Sequence, residues 1–126
     1  MRLNAMFTIY AVISAVFGLA FVFVPDASLA LYGITLSPGG KSVVRLFGAA
    51  LLEFAFLSWF ARNIGDSEAR NAITLAIFIG EAVGFVVVLL GQLSGVVNAL
   101  GWSTVVMYLL LALGFGYFLI KKPNTL

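Results

Sequence analysis

An all-α integral membrane protein built as a four-helix bundle is the fold class this sequence predicts, and three observations predict it. Hydrophobic residues make up 63% of the 126 positions and charged residues only 10%, too little charge to coat a soluble domain. Four apolar runs are each long enough, at roughly 17 to 25 residues, to cross a hydrocarbon core about 30 Å thick. The seven Lys and Arg residues lie mostly at the ends of those runs, where they set orientation rather than bind nucleic acid. One transmembrane domain covers the whole chain, with no linker or low-complexity tract.

The spans follow in order. Span 1 covers about residues 5–24 and stops at Pro25 and Asp26, which begin a short turn or interfacial helix reaching Tyr32 and Gly33. A cleaved signal peptide is the rival reading of this run. It is longer than an h-region of roughly 7 to 15 residues and the chain keeps Met1, so a permanent helix is expected. Ser37 and Pro38 read as the cap and first residue of span 2, about 42–60. A polar connector carrying Arg62, Asp66, Glu68 and Arg70 leads into span 3, about 72–90, with Asp66 as its expected N-cap and Glu68 favourable in the first turn. The connector from Gly91 to Gly101 has no charge and is expected to hug the interface, and span 4 covers about 102–120. Trp59, Trp102 and Tyr32 fit an interfacial aromatic belt, with Lys121 and Lys122 as inner-leaflet anchors.

An even number of spans puts both termini on one side. That side collects Arg2, Arg62, Arg70, Lys121 and Lys122, against Lys41 alone in the opposite loops. The positive-inside rule then gives cytoplasmic termini in the inner (plasma) membrane.

Chemistry is scarce in this chain. With no Cys and no His, disulfides, thiolate metal sites, imidazole metal or haem ligation and the usual near-neutral proton carrier are all excluded. Carboxylates, hydroxyls and carbonyls remain as ligands. No cofactor is implied, and a metal is poorly served by two carboxylates. The most informative residues are Glu53 and Glu81, each near the middle of a span, where a charge costs about 3 kcal/mol or more unless it is neutralised, paired or hydrated.

At a helical rise of about 1.5 Å per residue, Glu53 lies about 12 Å and Glu81 about 15 Å from the shared connector, so neighbouring antiparallel helices would bring the two carboxylates to one level. The same count puts Ser14 at roughly 13 Å and Tyr108 at roughly 18 Å. All four spans could therefore feed one polar cluster, in which two carboxylates would share a proton because both cannot comfortably ionise there. Small residues at Ala72, Ala76, Gly80 and Gly84, at Ala112 and Gly116, and at Gly18 and Gly48 allow close helix approach. Packing alone would also explain such stripes. Arg45, about one turn inside span 2, either snorkels to the interface or faces Glu81, a headgroup or an anionic ligand. Gln92 and Asn98 read as helix-end caps.

Two stretches, RLFGAALL at Arg45 to Leu52 and GVVNALGWST at Gly95 to Thr104, resemble small bacterial four-helix membrane proteins of DoxX-like layout. That resemblance spans about two-thirds of the chain from span 2 onward. It implies a four-span fold and a link to redox-associated membrane complexes, but without Cys or His it supplies no catalytic residue.

Three functions compete. The first is a proton- or cation-coupled transporter, or a binder of a small amphipathic ligand, using Glu53 and Glu81 with Tyr108, Ser14 and Arg45. The second is an accessory or assembly subunit of a larger membrane complex, in which the glutamates are structural contacts; a homodimer or other membrane subunits would be its partners beside the lipid bilayer. The third is an enzyme acting on a lipid-soluble substrate through Glu53, Glu81 and Tyr108, for which no motif fixes a reaction.

Overall fold

In the computed structural model, which describes residues 2–121, five helices follow one another: α1 (Leu3–Phe23), α2 (Pro25–Ala30), α3 (Pro38–Ala61), α4 (Glu68–Leu93) and α5 (Gly101–Ile120). The four long ones are long and apolar enough to cross a membrane. Among the described residues there is no strand. Lys122 lies outside those residues.

Local chemistry sets the ends. Pro25 cannot continue α1 and opens α2 at its first position. Ser37 caps α3, its hydroxyl accepting from the Gly40 N–H at 3.0 Å, with Pro38 at the first helical position. The cap of α4 is Ser67, whose hydroxyl accepts from the Arg70 N–H at 3.1 Å, rather than Asp66. Asp66, one residue before the cap, instead pairs with the Arg70 guanidinium four residues on, at 3.4 Å. Glu68 stands in the first turn of α4, where the helix dipole favours it.

The long helices pack as two pairs. α1 lies against α3 and α4 against α5, while α1 and α5 meet along a narrower seam and α3 and α4 touch at most slightly. Glycines explain the first pair. A Cβ on Gly18 would lie 3.0 Å from the Gly48 carbonyl oxygen and one on Gly48 2.9 Å from the Gly18 carbonyl, so two backbones touch where only glycine fits. The seam between pairs is filled at the end nearest the termini by Met6, Phe7, Tyr10, Ile77, Leu111 and Phe115. Phe7 and Phe115 are fully buried with ring centroids 5.8 Å apart, and Tyr10 meets Phe115 edge-on at 5.6 Å.

At the other end the pairs are tied by loops. Asn98 donates from its backbone N–H to the Tyr32 carbonyl and from its side-chain amide to the Leu31 carbonyl, both at 3.0 Å. Gln92 donates to the Asn98 carbonyl at 3.0 Å, and the Thr104 hydroxyl donates to the Tyr32 hydroxyl at 3.3 Å. The uncharged connector thus folds across α2 as a latch. Tyr32 belongs to this latch and is half-buried, its hydroxyl accepting from Thr104. Gln92 and Asn98 likewise hold the latch between helices, beyond capping a helix end. Lys41 adds an exposed ion pair to Asp26 at 2.8 Å, joining α3 to α2.

Candidate functional site: an apolar cavity closed on one acid

The gap between the two helix pairs is a cavity of about 680 Å³, inside the roughly 300–1,000 Å³ range of small-molecule sites. Phe17 and Phe21 of α1 and Met107 of α5 line its back, with Phe21 stacked on Phe47 of α3. Its floor is the upper edge of the aromatic cluster, where Tyr10, Ile77 and Leu111 belong both to the core and to the cavity lining. Leu29, Tyr32, Ile34 and Val97 of the latch roof it. Toward the front, Phe47 and Phe54 of α3 and Val83 and Val87 of α4 line the space and are also 43–61% exposed, so the cavity opens where α3 and α4 stand apart.

Glu81 is the one carboxylate in that lining and is 6% exposed. It stands on the inward stripe of α4 with Thr74 and Ile77, seven and four residues earlier, both buried. Around it stand Tyr10 and Ser14 from α1 and Tyr108 from α5. Tyr10, Ser14 and Tyr108 line the same cavity as the Glu81 carboxylate, and the two tyrosines are close enough to feel its charge. Three helices therefore converge on one acid. Tyr108 reaches this position over Gly84, where any Cβ would strike its ring. Four residues earlier Gly80 has open space before it, with nothing within 4 Å of a Cβ. One stripe of small residues thus does two jobs: Gly84 makes room for a tyrosine and Gly80 borders the cavity mouth.

Glu81, Tyr108 and Ser14 come together; Glu53 and Arg45 do not join them. Glu53 is exposed on α3 and does not line the cavity, so the expected Glu53–Glu81 pair is absent. Two physical causes act together. The inward stripe of α3 runs through Gly48, Leu51, Ala55 and Ser58, and Glu53, two residues from both Leu51 and Ala55, points about 200° around the helix from them. In addition, α3 packs on α1 and α4 on α5, so the second and third spans stand apart. Arg45 is exposed near the latch end of α3 and lines no part of the cavity.

Tyr10 is the residue that sequence reasoning missed. Its signal was present: Tyr10 and Ser14 are four apart on α1 and so share one helical face, as the burial of Tyr10 at 6% and Ser14 at 2% exposure bears out. Among the described residues no three acids, or other metal-ligating side chains, converge.

The fold and site define a class: a helical protein with four candidate membrane spans whose helix pairs enclose an apolar, half-open cavity around a single buried acid. The chain belongs to the family described as a domain of unknown function, DUF8292, whose model matches residues 1–120. No curated protein and no solved structure gives a match.

Proposed function

We propose that this protein binds a small amphipathic molecule in the membrane, with Glu81 receiving its polar head and the walls between the helix pairs enclosing its apolar body. The observation that carries this reading is a carboxylate placed inside a cavity lined almost entirely by aliphatic and aromatic groups. A carboxylate in low dielectric is costly unless a partner answers it, and Tyr10, Ser14 and Tyr108 supply hydroxyls but no counter-charge. Proton- or cation-coupled transport of the ligand is compatible with the same acid acting alone, without the pair.

In this reading both termini are cytoplasmic and the latch faces outward across the inner membrane. The clustering of Arg2, Arg62, Arg70 and Lys121 at one end supports it. Single cysteines placed at Arg2 and Asp66 in this cysteine-free chain should react only with reagents that reach the cytoplasm. Labelling from outside would reverse the orientation. The DoxX-like likeness contributes a four-span layout to this reading and no residue.

Ligand binding is tested with Glu81→Gln, which keeps shape and hydrogen-bonding capacity while removing the charge. In a bilayer preparation the variant should fold yet lose at least tenfold in affinity for an amphiphile that the parent retains; unchanged affinity would leave Glu81 as a helix-fixing contact. A second reading, an accessory subunit of a larger membrane complex, is favoured by one observation. Glu53 is exposed mid-helix beside Phe54 and Phe56, where only a polar partner would relieve it. Loss of a co-purifying membrane chain in Glu53→Leu would support that role.

A further inference from the structure

We infer that the cavity takes non-anionic amphiphiles whose head donates a hydrogen bond, an alcohol, phenol or amine, and that they enter sideways from the bilayer through the gap between α3 and α4. This rests on the binding role proposed above and specifies its ligand class and route. Head-group chemistry follows from what lines the space. Among the described residues the lining holds one acid and no Lys or Arg, so an anionic head would be buried against Glu81 with no compensating cation. An amine or hydroxyl hydrogen would instead meet a ready acceptor.

The route follows from which sides are closed. One end is plugged by Phe7, Tyr10, Ile77 and Phe115 in mutual contact. The other is roofed by the α2 latch, whose Asn98 amide and backbone bonds to Leu31 and Tyr32 and whose Tyr32–Thr104 hydroxyl pair join the two halves of the molecule. On the opposite side α1 and α5 meet along their seam. The front is the open side, where α3 and α4 are at most slightly packed together and the lining residues are also exposed. That front lies along the length of two helices that are apolar enough to sit in hydrocarbon, so what reaches it first is a molecule already dissolved there. Gly80 and Ala76, one turn apart and both exposed, form the narrow-side-chain lip of this opening on α4.

The experiment uses the intact protein in lipid nanodiscs and three photoactivatable probes of one chain length carrying a diazirine: hexadecanol, hexadecylamine and palmitic acid. After illumination, cross-linked peptides are mapped by mass spectrometry. The alcohol and the amine should label cavity residues such as Leu51, Val87 and Met107, and the acid should do so at least tenfold less; equal labelling by the acid overturns the head-group assignment.

Gly80→Phe should reduce alcohol labelling at least tenfold with an unchanged melting curve, since nothing crowds that position. Ala76→Leu, a smaller obstruction, serves if Gly80→Phe fails to fold and should reduce labelling severalfold. Asn98→Ala, which removes the side-chain bond to Leu31 and loosens the roof from outside the cavity lining, should leave labelling within twofold. Parental labelling in folded Gly80→Phe or Ala76→Leu, or a many-fold rise on loosening the roof, overturns the lateral route. Glu81→Gln separates the two levels of the argument. If it loses labelling while the lip variants do not, the route alone falls; if it keeps parental labelling, the binding role falls with it.

Discussion

Glu81 and Glu53 stand at nearly the same depth in two helices of similar length, yet one is enclosed by three helices and the other faces outward. Glu81 is 6% exposed among Tyr10, Ser14 and Tyr108; Glu53 is exposed on a helix face bearing Phe56 and Phe60, 61% and 66% exposed. The difference teaches that depth and direction are separate variables in a helical bundle. Depth follows from counting residues at a fixed rise. Direction follows from which neighbour each helix chooses, and here that choice is made by small residues and tyrosines elsewhere in the sequence.

The comparison between the α4 cavity face and the α3 outer face can be broken most forcefully by repacking. Gly84→Leu would drive a side chain into the Tyr108 ring and should destabilise the protein by about 3 kcal/mol, read as a lowered midpoint in thermal unfolding in mild detergent. Gly80→Leu, four residues away on the same stripe but with open space before it, should be neutral or stabilising by up to about 1 kcal/mol, because leucine is the better helix former. Equal damage from both would mean that α4 meets another helix at Gly80.

Charge gives the next largest effect. Glu81→Gln is expected to weaken amphiphile retention at least tenfold, about 1.4 kcal/mol, whereas Glu53→Gln should leave retention unchanged in the same titration. Matching losses would bring Glu53 back into the site.

Two smaller effects sharpen the picture. Tyr32→Phe removes the hydroxyl that Thr104 donates to at 3.3 Å and should lower stability by about 0.6 kcal/mol, the usual worth of a side-chain hydrogen bond between helices in a membrane. Glu53→Leu should change the unfolding free energy of the isolated protein by about 0.5 kcal/mol or less, because the side chain is exposed both before and after unfolding. A large stabilisation or destabilisation in that variant would show that Glu53 is covered in the folded protein.

Much of the fold could be read from residue order. The four spans were expected within a few residues of the helices observed, since a run of apolar residues long enough to cross hydrocarbon must satisfy its backbone internally and so becomes a helix. The Ser37 and Pro38 start of α3 and the Pro25 break before α2 were equally legible, because they depend on the residues beside them. Of the site, Ser14, Glu81 and Tyr108 were legible through matching depth. Tyr10 carried the same signal as Ser14 one turn away and passed unnoticed amid the apolar residues around it.

By itself, then, the sequence determined that four apolar helices form, where they begin and end, how deep each polar group lies and that neither thiol nor imidazole chemistry is open to this protein. Those properties depend on composition, local hydrogen bonding and helical rise, which are set residue by residue. Only the tertiary structure decided that α1 pairs with α3 and α4 with α5, that Glu53 turns outward, and that Tyr10 joins Glu81 in a cavity left between the pairs. Pairing is a contest between alternative contacts of similar apolar character. It is settled by shape, through the mutual approach of Gly18 and Gly48 and the fit of Tyr108 over Gly84, and shape of that kind exists only once the helices have met.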